Sequence, residues 1–150
     1  LTSVLGKSSH KFIVSKGARG DQYSLPPNCW GKNFLPQTAI LPLVNLVITH
    51  GGNNTVTETF TFGKPMIVMP LFGDQYDNAQ RVAEKGYGVR LETYGFTDEE
   101  LLQAIDRLLG DAQLARKCKQ TAERIRKSNS KELVAIKIEQ VVQKLAKSNK

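Results

Sequence analysis

The chain has 150 residues, 40% hydrophobic and 23% charged, which is enough for one domain with a core and too little for two ordinary ones. This balance excludes collagen-like, low-complexity and wholly disordered classes, and no apolar run approaches the roughly 18 residues that a membrane span needs. The net charge of +7 does not read as a nucleic-acid footprint: residues 1–110 hold ten Lys/Arg against ten Asp/Glu, so the whole excess lies in the last forty, where no aromatic residue is available to stack on a base.

The first residues, Leu-Thr-Ser-Val-Leu-Gly, lack the Met, basic region and apolar run of a signal peptide, and read as a cut inside a larger protein. From there short β-branched runs alternate with amphipathic stretches, the pattern of βαβ units and a parallel sheet. The pattern predicts strands at 11–15, 32–34, 46–49, 66–69 and 88–91, and helices at 55–62 and 75–85. A surface loop is expected at 17–28, where Gly20, Pro26 and Pro27 fall. The runs Leu46-Val47-Ile48 and Met66-Ile67-Val68-Met69 are continuously apolar, as strands covered on both faces are. Beyond them the pattern is helical. Thr97 and Glu100 form a capping box for a helix over 98–109, with Leu101, Leu102, Ile105, Leu108 and Leu109 as its stripe. Asp111 caps a second helix carrying Leu114, Cys118, Ala122 and Ile125, and a third presents Val134, Ile138, Val141, Val142 and Leu145 on one side. The expected organisation is an α/β domain over 1–110, with helices of 111–150 packing on it. Cys29 and Cys118 form no metal pattern and read as reduced, half-buried thiols.

The informative stretch begins where a buried strand runs into Thr49-His50-Gly51-Gly52-Asn53-Asn54-Thr55 and a helix follows at once. Free backbone N–H groups and the positive end of a helix dipole then face the turn, where a phosphate can sit. Taken alone, the same residues are explained as a glycine turn with Asn and Thr capping the helix. Glu58, one helical turn further, shifts the balance, because a carboxylate there would repel a phosphate unless it accepts hydrogen bonds from a sugar diol. Pro70-Leu71-Phe72-Gly73-Asp74-Gln75 follows another strand at its C-terminal edge, where open α/β sheets bind ligands. Asp74 and Gln75 suit hexose hydroxyls, although Asp74 also reads as a helix N-cap.

The run from His50 to Glu58, then Gly63-Lys64-Pro65, Pro70 to Gln75, and Asn78-Ala79, with Phe34-Leu35-Pro36-Gln37 upstream, resembles the signature of UDP-glycosyltransferases, over roughly residues 10–110. The resemblance is to their C-terminal, nucleotide-sugar-binding half, and implies a Rossmann-like parallel sheet with flanking helices (half of a GT-B fold), followed by a helical C-terminal tail. It implies that His50 contacts the diphosphate and that Gly52, Asn54 and Thr55 complete the phosphate cradle. Glu58 takes the ribose hydroxyls, and Asp74 and Gln75 hold the transferred sugar. Phe34 stacks on the uracil, in place of the usual Trp, while Leu35 and Gln37 read the base edge. Trp30 lies four residues too early to be that Trp and reads as structural. No catalytic residue, cofactor or metal is implied within this chain, since the general base belongs to the family's N-terminal acceptor domain. The implied partners are a UDP-sugar, that domain and a small lipophilic acceptor.

The resemblance also implies that the domain's opening strand is missing. In the doubly wound order that strand lies between the second and fourth, so an unfilled seam is expected, closed by rearrangement, by swapping with another copy, or by a partner segment. The leading expectation is a donor-binding fragment, inactive alone, of an enzyme transferring glucose or a related hexose. A non-catalytic UDP-binding or protein-interaction module is the alternative. A soluble parent would place the protein in the cytoplasm, and a span cut off downstream would place it at the endoplasmic reticulum membrane.

Overall fold

The computed structural model describes residues 1–148, with side chains described for 1–130 and 132–144. In chain order the elements are α1 (Thr2–Leu5), β1 (Phe12–Ser15), β2 (Cys29–Lys32), α2 (Gln37–Ile40), β3 (Val47–Thr49), α3 (Asn53–Phe62), β4 (Met66–Val68), α4 (Asp74–Glu84), β5 (Gly88–Arg90), α5 (Asp98–Gly110), α6 (Ala112–Arg126) and α7 (Ser130–Ser148). Single 3-10 turns at Gly20–Gln22 and Leu41–Leu43 complete them.

The strands are parallel and form two sheets, β1-β2 and β3-β4-β5. β4 shows why both faces must be covered. Ile67 packs into one apolar cluster with Val4 and Leu5 of α1, Leu101 and Ile105 of α5, and Leu114 and Cys118 of α6. Met66 and Val68 point the other way, into a cluster with Val56 of α3 and with Ala79 and Val82 of α4. All three β4 side chains are fully buried. Phe12, Cys29, Leu46 and Ile48 pack against the first cluster, so side chains join the two sheets where no backbone ladder does.

The helical boundaries follow local chemistry. The capping box forms as expected: Glu100 N–H donates to Thr97 Oγ1 at 3.2 Å, and Thr97 N–H donates to Glu100 Oε2 at 2.7 Å. Asp111 Oδ1 accepts from Leu114 N–H at 2.8 Å and caps α6. Gly63, at φ 65°, closes α3 against α6, where an added Cβ would lie 3.0 Å from Ala122 Cβ.

Four expectations need correction. The strand expected at 32–34 lies at Cys29–Lys32, because pairing with β1 sets its register (Phe12 beside Cys29, Ser15 beside Lys32) and β-prone Phe34 falls past the end of that partner. Trp30 holds a strand position but is 54% exposed, since alternation along β2 turns it outward. Cys29 is half-buried as expected, but Cys118 is wholly buried. Burial pushes its thiol up to about 11, so it stays protonated and unreactive at neutral pH. The expected apolar side of the last helix does not pack inward: Val134, Ile138, Val141 and Val142 of α7 are exposed, and the side chain of Leu145 lies outside the described residues. Among the described residues no helix is long and apolar enough to cross a membrane.

Candidate functional site

β3 delivers the chain to its C-terminal edge, where Gly51 takes φ 90° and reverses it into α3. A side chain there would be strained twice over, by that dihedral and by a Cβ 2.6 Å from the buried Val68 Cγ1. Thr49 Oγ1 accepts the Gly51 N–H at 3.2 Å, and Asn78 Nδ2 of α4 donates to the Gly51 carbonyl at 2.9 Å. The turn is therefore held from its own strand and from the next helix.

Both helices that open at this edge have glycine N-caps, Gly52 for α3 and Gly73 for α4, and neither N-terminus receives a side-chain capping bond. Asn and Thr do not cap α3, and Asp74 lies one position inside α4 rather than at its N-cap. Uncapped first-turn amides and two dipole ends thus face one side of the sheet. The exposed His50 ring lies directly over Gly52, where an added Cβ would sit 2.6 Å from its Nε2. No Lys or Arg belongs to this set of residues, so what the turn offers an anion is backbone N–H groups and helix dipoles, with the imidazole beside them.

Gln37, on α2, brings the next residues together. Its Nε2 donates to Glu58 Oε2 at 2.7 Å and to Thr55 Oγ1 at 3.3 Å, so the carboxylate, the hydroxyl and the amide form one polar cluster beside the turn. Leu35, Gln37, His50 and Thr55 line a common groove. Asn54 is exposed at the start of α3, and Phe34 is 83% exposed at the loop leading into α2. The two α4 residues part company. Asp74 is exposed, with Asn78 Nδ2 at 3.5 Å from its Oδ2. Gln75 is buried, and its Oε1 accepts the N–H groups of Leu71 and Phe72 at 2.9 and 3.2 Å, so that oxygen shapes the preceding loop.

Two residues that hold the site carry no separate sequence signal. Thr49 reads only as the end of a strand, and Asn78 is part of a motif without a stated task until α4 is placed beside the turn. Among the described residues no group of three His, Cys, Asp or Glu side chains is arranged to hold a metal.

Comparison with known proteins identifies the family and the fold. A family model described as "UDP-glucoronosyl and UDP-glucosyl transferase" matches residues 2–128. Human UDP-glucuronosyltransferase 1A9 is 44% identical over 80 residues, covering 52% of this chain and 15% of that protein. Among solved structures, the glycotransferase of kitacinnamycin superposes with a TM-score of 0.71 at 29% identity, over 77% of this chain and 31% of its own. CalG4, the calicheamicin glycosyltransferase, superposes with a TM-score of 0.80 at 22% identity, over 97% of this chain and 39% of its own, a likeness of fold. The chain therefore spans well under half the length of the relatives it matches.

Proposed function

This chain belongs to the UDP-glucoronosyl and UDP-glucosyl transferase family, and from that premise we propose that it is the donor-binding part of an enzyme that transfers a hexose from a UDP-sugar to a small lipophilic acceptor. The observation that carries the proposal is the convergence, at one sheet edge, of two glycine-capped helix N-termini with His50 over Gly52 and Glu58 one turn away.

In this reading the diphosphate lies against the α3 amides at Asn54 and Thr55 and against His50. Glu58, already oriented by Gln37 through Oε2, turns Oε1 to the ribose diol. Phe34 stacks on uracil beside Leu35. Asp74 takes hydroxyls of the transferred sugar, and Gln75 reaches it with its amide end, since its oxygen holds the loop. An acceptor hydroxyl attacks the anomeric carbon as the bond to the β-phosphate oxygen breaks. The charge that develops on UDP is met by the α3 dipole and His50, groups oriented before the reaction begins. The base that removes the acceptor proton lies outside this chain, as does the acceptor pocket, so the isolated chain binds donor without turnover.

Calorimetric titration with UDP tests the site. The chain is expected to bind UDP, and Glu58→Ala to weaken binding by roughly 1.5–3 kcal/mol, on the order of ten- to a hundredfold, through loss of a charge-assisted contact. Equal affinity of the two proteins would remove Glu58 from the ribose contact. Absence of UDP binding by the unaltered chain would overturn the reading of this chain as a preformed donor site.

A further inference from the structure

Much of the excess positive charge sits on one helix. α6 carries Arg116, Lys117, Lys119, Arg124 and Arg126 against the single carboxylate of Glu123. Its buried residues Leu114, Cys118 and Ala122 recur every four positions and take one side, so Gln113, Lys117 and Gln120, at spacings of four and three, share another. That second side forms one wall of a concavity of about 720 Å³, whose other walls are the last turn of α5 and the chain entering β5 at Gly86 and Gly88. Gly88 lies beside Met66, the first residue of β4, so the concavity opens at the N-terminal end of the parallel strands. The glycine turn with His50 lies at their C-terminal end, and the inference does not depend on what that turn binds.

The walls hold three cations, Arg107, Arg116 and Lys117, against one carboxylate. The carboxylate, Asp111, is committed: its Oδ1 accepts the Leu114 N–H and caps α6. Lys117 is held, its Nζ donating to the Lys85 carbonyl and lying 4.6 Å from the centre of the Tyr87 ring. Arg107 and Arg116 differ from it. Both are exposed, and among the described residues neither has a hydrogen-bond or ion-pair partner. Two guanidiniums, each able to take a carboxylate by two parallel N–H bonds, therefore line the concavity unopposed.

The remaining lining separates the possible anions. A free phosphate would use the cations and leave idle the carboxamides of Gln113 and Gln120 and the apolar floor of Val89 and Leu114. A polypeptide uses all three kinds of group: carboxylates for the guanidiniums, backbone amides for the glutamines, and an aliphatic side chain for the floor. A bilayer surface is broad and flat on this scale and does not enter a concavity. We propose that the concavity between α5, α6 and β5 is a docking site for an acidic polypeptide segment. Carboxylates spaced along an extended chain pair with Arg107 and Arg116, and an aliphatic residue between them covers Val89 and Leu114.

The test is fluorescence anisotropy of the 150-residue chain with the fluorescein-labelled peptide amide Gly-Glu-Glu-Leu-Glu-Glu-Gly and with its neutral counterpart Gly-Gln-Gln-Leu-Gln-Gln-Gly. The acidic peptide is expected to bind, more weakly as salt is raised, and the neutral one to bind roughly tenfold or more weaker. Neither arginine supports the fold through a described hydrogen bond, so both can be replaced in a folded chain. Arg107→Gln with Arg116→Gln should weaken the acidic peptide roughly tenfold or more, while Lys119→Gln with Arg126→Gln, which removes two charges of α6 outside the concavity, should change it less than about threefold. Absence of binding by the acidic peptide would overturn the proposal. So would equal weakening by the two double variants, which would assign binding to the general field of α6. Displacement of the peptide by inorganic phosphate at equal ionic strength, or by phosphatidylserine vesicles, would also overturn it, making the concavity a site for small anions or for lipid.

Discussion

Adjacent glycines in the turn after β3 have different tasks, and substitution separates them. Gly51 is needed for the backbone: its φ of 90° and the Val68 methyl 2.6 Å from an added Cβ make Gly51→Ala destabilising by about 1–3 kcal/mol, measured by urea denaturation. Gly52 has an ordinary φ of −59°, and its added Cβ meets only the exposed His50 ring, which can swing away. Gly52→Ala is therefore expected to leave stability within about 0.5 kcal/mol of the parent while weakening UDP binding, because the imidazole and the approach to the α3 amides are both displaced. A stability loss equal to that of Gly51→Ala would assign Gly52 to the turn alone. Both glycines look alike in the sequence, and so do Asp74 and Gln75. Gln75 shows how folding divides such a pair, since its oxygen holds the Leu71–Phe72 backbone while Asp74 stays exposed.

At the scale of elements, local signals succeeded where a helix carries its own start signal. Thr97 and Glu100 cap α5 through short-range contacts that any environment would permit, and removing the cap with Thr97→Ala is expected to lower stability by about 1 kcal/mol in urea denaturation. An unchanged midpoint would show that packing of the α5 stripe alone defines this helix. β2 failed for the opposite reason. Its limits are those of β1, four residues long, and nothing local to Lys32-Asn33-Phe34 announces where that partner stops. α7 has the same kind of apolar spacing as α5, but Leu101, Ile105 and Leu108 are buried while Val134, Ile138 and Val141 stay exposed. Periodicity says that a helix has an apolar side; it does not say what covers it.

For the whole molecule, the apolar cluster reached by α1, β4, α5 and α6 is packed against by side chains of both sheets, Phe12 and Cys29 from one and Ile48 from the other. Leu101, fully buried in it, is the expected common support: Leu101→Ala should remove about 2–5 kcal/mol and lower the unfolding midpoint equally by Trp30 fluorescence, which reports β2, and by far-UV circular dichroism. Loss of the Trp30 signal ahead of the helical signal would mean that the β1-β2 pair is held independently. The parallel α/β class, the order of its five strands and of its longer helices, the caps of α5 and α6, and the residue types of the glycine turn were legible in the sequence, whereas the short α2 that carries Gln37 was not. Each legible feature rests on contacts within a few residues or on a periodicity that a short window contains. Only the tertiary structure decided that Gln37 reaches Glu58 across 21 residues, that Asn78 ties α4 to Gly51, that Gln75 turns to the backbone, and that a groove parts β1 from β3. Those are meetings between distant segments, and their geometry exists only once the sheets and helices have packed.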